Sequence, residues 1–120
     1  MAYVDGFVLP LPKSKVEEYK KFSGDAGKVW LEYGALEYRE CIADDVPPGK
    51  LTSFPLSVQL KDDEVVVFSY IVYESRAKRD EVNEKVMKDP RLQGMAPEAM
   101  PFDGKRMIYG GFESLLFLKK

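Results

Sequence analysis

Val65-Val66-Val67-Phe68-Ser69-Tyr70-Ile71-Val72-Tyr73 is an almost unbroken apolar run with one small polar side chain in it, and its reading decides the fold. A run of this kind belongs in the middle of a sheet that is covered on both faces. Ser75 follows as an N-cap, and the next residues turn helical. Ala77, Val82, Val86 and Met87 supply the buried side, Arg76, Arg79 and Asp80 face solvent, and Pro90 ends the helix. The same order stands upstream. Tyr3 to Leu11 reads as a strand until Pro10-Leu11-Pro12 withdraws ladder donors. From Ser14 onward Val16, Tyr19, Phe22, Ala26, Val29, Trp30 and Tyr33 recur at three- and four-residue spacings, with Gly34 as the stop. A further strand-like segment follows each helix. Strand-helix-strand twice over predicts a ferredoxin-like (βαββαβ) α+β fold, an antiparallel sheet with two helices on one face.

Working outward, Ala35 to Ala43 alternates, with Leu36, Tyr38, Glu40 and Ile42 on one face and Glu37, Arg39, Cys41 and Ala43 on the other. Gly24 and Gly27 weaken the middle of the first helix and predict a kink or close packing there. Asp44 to Asp63 is a connection longer than the roughly 12 to 15 residues beyond which a loop is usually functional or hides an element. Within it, Ser53 as N-cap and Pro55 in the first turn predict a short helix. After an irregular Met- and Pro-containing segment, Arg106 to Leu118 reads as the last strand, with Gly110-Gly111 marking a bulge or a close backbone approach. Two helices cover only one face of such a sheet, yet Val65 to Tyr73 and Ser114 to Leu118 are apolar on both. A homodimer packed sheet to sheet is therefore expected, with Val67 and Ile71 as trial positions for the face that meets the partner.

The 120 residues suit a single domain spanning 1–120. Hydrophobic residues make up 45% and charged residues 32%, and no stretch reaches the roughly 18 apolar residues of a membrane span. No membrane association is expected. Met1 to Gly6 has no basic region and carries Asp5, which argues against a secretory signal and for the cytoplasm. Histidine is absent and Cys41 is the one cysteine. That removes Ser-His-Asp and Cys-His nucleophile systems, histidine metal sites, a cysteine zinc cage, an intrachain disulfide and a protein-supplied haem histidine. No metal and no cofactor are expected. A net charge of −2 with interleaved signs gives no basic face for phosphates, so no nucleic-acid partner is expected either.

Four blocks carry a resemblance: Tyr3-Val4-Asp5-Gly6-Phe7; Gly34 to Cys41; Gly49-Lys50-Leu51-Thr52-Ser53-Phe54-Pro55; and Met100-Pro101-Phe102-Asp103-Gly104 through Phe112. In order and spacing they closely resemble the bacterial YbaA-like family, domain of unknown function 1428. The resemblance covers essentially the whole chain. It implies a ferredoxin-like fold in the dimeric α/β-barrel superfamily and brings no established activity. Other branches of that superfamily include cofactor-independent monooxygenases, haem-degrading enzymes and lactone isomerases, which is an analogy of architecture alone.

Several residues are candidates for a ligand site. Glu37, Tyr38, Arg39, Glu40 and Cys41 place carboxylates, a guanidinium and a thiol on one short strand. In an otherwise apolar sheet such groups either line a polar cavity or pair with one another. One reading makes Arg39 an anion-orienting group and Glu40 a proton acceptor; the other is an edge strand laced by ion pairs. By alternation Arg39 and Glu40 point to opposite faces, so one pocket holds both only at a strand end or a bulge. Cys41 is either a thiolate activated by Arg39 or a small buried hydrophobe. Trp30, beside Tyr33 and Tyr19, either floors a pocket for a flat ligand or packs the core. Arg106 and Tyr109 either hold a ligand carboxylate or serve the sheet. Asp44-Asp45, Asp62-Asp63-Glu64 and Pro48-Gly49-Lys50 read as turns. Two functions stay open: a small-molecule binder or cofactor-independent enzyme, and a non-catalytic homodimeric interaction module.

Overall fold

The computed structural model describes residues 1–93 and 99–120, so the centre of the Met- and Pro-containing segment lies outside the described residues. Among the described residues four strands and three α-helices alternate: β1 (Tyr3–Pro12), α1 (Val16–Tyr33), β2 (Glu37–Ile42), α2 (Phe54–Ser57), β3 (Glu64–Tyr73), α3 (Arg76–Lys88) and β4 (Ile108–Glu113). The fold is α+β, with one four-stranded sheet in the order β2-β3-β1-β4 whose neighbours are all antiparallel. The apolar run of β3 is an inner strand, as its composition requires. Local chemistry sets the boundaries: the Ser75 hydroxyl accepts from the Lys78 N–H at 3.1 Å, that of Ser53 accepts from Leu56 N–H at 3.0 Å, and α1 ends at Gly34.

The register sorts the side chains. Ile71 stands opposite Asp5 and Tyr38, and Ser69 opposite Phe7 and Glu40, so these residues share the face on which α1 and α3 pack. Val29, Ile71, Tyr73, Val82 and Val86 form the core beneath both helices, and Leu9, Leu11, Tyr19 and Val67 a second cluster beside it. Val67 and Ile71 are thus buried under helices and cannot meet a partner; Phe68, Tyr70 and Val72 occupy the other parity. On that second face, Val58 from the long connection covers Val8 and Val66. The remainder is open, with Phe68 42% and Phe112 62% exposed.

Two expectations need correction, and a third is decided between its two alternatives. In α3 the stripe that meets the sheet runs through Arg79, Val82, Asn83 and Val86, which fall at three- and four-residue spacings. Ala77 and Met87 lie off it and are exposed, while Arg79 turns inward, its side chain 22% exposed. The last strand is also shorter than Arg106 to Leu118. Glu113 already pairs with Tyr3, the first residue of β1, so the residues after it have no strand opposite, and Leu115 to Leu118 are exposed. Finally, Gly110-Gly111 forms no bulge, since the β1–β4 ladder is regular through both. It is the close approach that holds. A Cβ at Gly111 would collide with the Tyr3 hydroxyl and stand 2.7 Å from Arg79 Nη2.

Candidate functional site

The site lies between the sheet and the two helices. β2 is an edge strand, and the stem of Glu40 is open to solvent, but its carboxylate turns inward onto α1. Tyr19 donates to both carboxylate oxygens at 2.9 Å, and the Ser23 hydroxyl donates to Oε2. Ser23 in turn shares a 2.8 Å hydrogen bond with the Tyr38 hydroxyl. Tyr19 and Ser23 are both buried, so three hydroxyls and one carboxyl form a chain at the wall of the apolar interior. Loss of water raises the Glu40 pKa above the usual carboxylate value, and the hydroxyl donors offset only part of that rise. The Tyr38 phenol is pushed up to about 12 by the same desolvation. Tyr38 fits under α1 because Gly27 has no side chain: a Cβ there would sit 2.6 Å from the ring. Close packing, rather than a kink, is the role of that glycine, and α1 runs unbroken through it.

This hydroxyl chain borders a cavity of about 260 Å³ walled by Phe7, Phe22, Trp30, Ile71 and Phe102. A second cavity, about 300 Å³, shares Phe7, Trp30, Ile71 and Met87 with it and extends toward β4. Its polar groups are Asp5, Tyr73, Arg79 and Asn83. Asn83 Oδ1 accepts from Trp30 Nε1 at 3.2 Å and from the Tyr73 hydroxyl at 3.3 Å. Arg79 Nη2 donates to the Tyr3 hydroxyl at 3.0 Å, and its guanidinium lies 4.9 Å from the Tyr3 ring centroid. Burial raises the Asp5 pKa, with Arg79 opposing the rise. A cleft with apolar walls and a carboxyl at each end can hold a flat organic molecule and exchange a proton with it.

Of the residues singled out in the sequence, Trp30, Tyr38 and Glu40 meet in this cleft. Tyr109 stands at its rim, 6.5 Å from the Phe7 ring and largely exposed. The others are elsewhere. Arg39 flanks the first cavity by its place in β2, but its guanidinium pairs with Glu37 at 3.0 Å and lies 5.8 Å from the Tyr70 ring on the opposite face. Strand alternation separates it from Glu40, and the edge-strand reading describes it better. Cys41 is exposed on that same face, beside Phe54 and Phe68. Arg106 belongs to a structural anchor, bonded to Glu64 at 2.6 and 2.8 Å, to Asp103 at 2.9 Å and to the Gln59 carbonyl at 2.9 Å. Sequence reasoning missed Asp5, Ser23, Ser69, Arg79 and Asn83. Asp5, Ser23 and Ser69 carried a readable signal, since each is polar at a position whose periodicity is otherwise that of the core.

The family described as "Protein of unknown function (DUF1428)" matches residues 2–104. The chain belongs to the DUF1428 family. It is 50% identical over 116 residues to the uncharacterised protein YbaA of Escherichia coli strain K12, covering 97% of this chain and 98% of that one, and equally so to YbaA of Shigella flexneri. Among solved structures, an uncharacterised NIPSNAP domain protein from Burkholderia xenovorans matches with a TM-score of 0.61 at 18% identity, over 98% of this chain and 99% of that one. A protein from an uncultured marine organism, described as dimeric and ferredoxin-like, matches with a TM-score of 0.57 at 11% identity over 100% of both chains. At these identities the likeness to this DUF1428 member is one of fold. No helix among the described residues is long and apolar enough to cross a membrane.

Proposed function

We propose that the chain is a single ferredoxin-like (βαββαβ) domain of the dimeric α/β-barrel type that binds a small organic molecule in the cleft. In this reading Glu40 takes a proton from the ligand and returns it, an isomerase-type transfer that needs no metal and no cofactor. The observation that carries it is the Glu40 carboxylate, turned from an open edge into an apolar cleft where, among the described residues, Tyr19 and Ser23 hydrogen-bond to it. A carboxyl whose pKa is raised by desolvation, and which has no cation partner among the described residues, is suited to exchanging a proton with a ligand. Tyr38 and Tyr19, both held in their neutral forms, supply donors toward an oxygen that gains charge during the transfer.

The homodimer draws support from the open sheet face, where Phe68, Ile108 and Phe112 are exposed, and from the exposure of the apolar residues Leu115 to Leu118 after β4. The dimeric description of one neighbour of the same fold makes a second copy the occupant to test. A cytoplasmic setting agrees with an exposed, unpaired Cys41.

The experiment is a thermal-shift screen of wild type and Glu40→Gln against a library of flat organic acids, ketones and phenols. At least one compound is expected to raise the wild-type midpoint, with any accompanying isomerisation lost in the variant. A library without a single hit would favour the non-catalytic interaction module. Sedimentation should give twice the monomer mass for wild type and a monomer for Phe68→Asp.

A further inference from the structure

The two adjoining cavities end on unlike chemistry, and that difference constrains what fits. At the β4 end the Arg79 Nε is buried and has no hydrogen-bond acceptor among the described residues. Asp80 Oδ1 and Asp5 Oδ1 stand 3.4 and 3.6 Å away, within ion-pair range but unbonded. A buried donor left without an acceptor costs free energy unless a ligand or water supplies one. Asn83 and Tyr73, by contrast, bond within the wall.

Resting on the reading of the cleft given above, we infer that it is a two-ended site whose ligand is a flat, conjugated molecule with a carbonyl or carboxylate oxygen at Arg79 and a hydroxyl or other acidic proton at Glu40. The sheet sets its length. Glu40 stands opposite Ser69 and Phe7, one register pair from Asp5, which stands opposite Ile71. Two strand spacings across and two residues along separate the Cα atoms of Glu40 and Asp5 by about 12 Å. Phe7, Ile71 and Trp30 line the way between, so the body of the ligand is apolar and flat. Conjugation links the ends: Glu40 takes the acidic proton, the electron pair left behind delocalises to the oxygen held by Arg79, and Glu40 returns the proton to a carbon of the conjugated system, so that one bond to hydrogen breaks and one forms with no net loss of atoms or electrons.

Titration calorimetry with three probes tests the inference: para-coumarate, para-coumaramide and para-propenylphenol. All carry the phenol and the flat body, and only the first two carry the acceptor oxygen. Wild type should bind both of these about tenfold tighter than para-propenylphenol. A gain for the carboxylate alone would assign the end to an anion, and a gain for the amide alone to a neutral carbonyl; either supports a subsite at Arg79. Arg79→Gln should erase the preference while leaving para-propenylphenol within twofold. Equal binding of all three to wild type would overturn the two-ended site and leave the cleft reading standing, and this comparison needs no variant to fold. A preference that survives in Arg79→Gln would remove Arg79 from the subsite. Binding of none of the probes at millimolar concentration would overturn the cleft reading together with the inference.

Discussion

Glu40 and Glu64 lie on neighbouring strands and differ in the company they keep. Glu64, 7% exposed at the start of β3, meets both terminal nitrogens of Arg106 and the Lys61 N–H, and its carboxyl is held below its usual pKa chiefly by Arg106. Among the described residues Glu40 meets hydroxyls only, and desolvation pushes it the other way. A bidentate guanidinium makes a carboxylate a fixed anion, suited to pinning the residues before β4 to the start of β3. Hydroxyls satisfy a carboxylate and its protonated form almost equally, which suits a group that changes state. In this protein the arginine partner therefore separates an acid fixed as an anion from the one to which we assign the proton transfer.

The strongest way to break the comparison is Arg106→Met, which leaves Glu64 buried and uncompensated. We expect a loss of about 3 kcal/mol in urea unfolding at pH 7. The sign with pH is fixed. Because the folded-state pKa of Glu64 lies below its unfolded value of 4.5, the stabilisation is present above that pH and is lost as pH falls through the folded value. The variant should show a flatter acid limb, and an unchanged one would deny Arg106 this role.

Next in size, Gly27→Ala drives a methyl into the Tyr38 ring and should cost about 1–3 kcal/mol despite the better helix propensity of alanine. Gly24→Ala, on the same helix with nothing within 4 Å of the new Cβ, should gain up to about 1 kcal/mol. Paired thermal melts give the contrast directly. If both changes stabilise, Tyr38 is not held by that glycine.

The smallest effect sharpens the comparison most. An acid whose folded-state pKa is raised weakens the fold as pH climbs above its unfolded value, so the cost of Glu40 is absent at pH 4 and present at pH 7. Glu40→Gln should then be as stable as wild type at pH 4 and more stable at pH 7. The gain stays under about 1 kcal/mol because water reaches the stem of this edge residue. A gain at pH 4 as well would mean the ionised form is not the destabilising one.

The apolar periods of β1-α1 and β3-α3 made those pairs legible from sequence, and alternation correctly separated Arg39 from Glu40. What escaped was long-range. Arg79 reads as a solvated helix residue until β1 is known to place Tyr3 and Asp5 beneath it, and Arg106 reads as a free cation until Glu64 is found opposite. The parity of β3 was equally hidden, because a strand apolar on both faces gives no sign of which side the helices take. Only the register with Asp5 and Tyr38 settles it.

Trp30 is the chain's one tryptophan, and it lines both cavities while its indole N–H is tied to Asn83. The tryptophan emission of the protein, excited apart from that of its seven tyrosines, therefore comes from the cleft alone. A guest that touches the indole, or a proton that leaves Glu40 some way along the same wall, alters the colour or yield of that light without any added label. The molecule thus carries its own spectroscopic gauge at the place where occupancy matters.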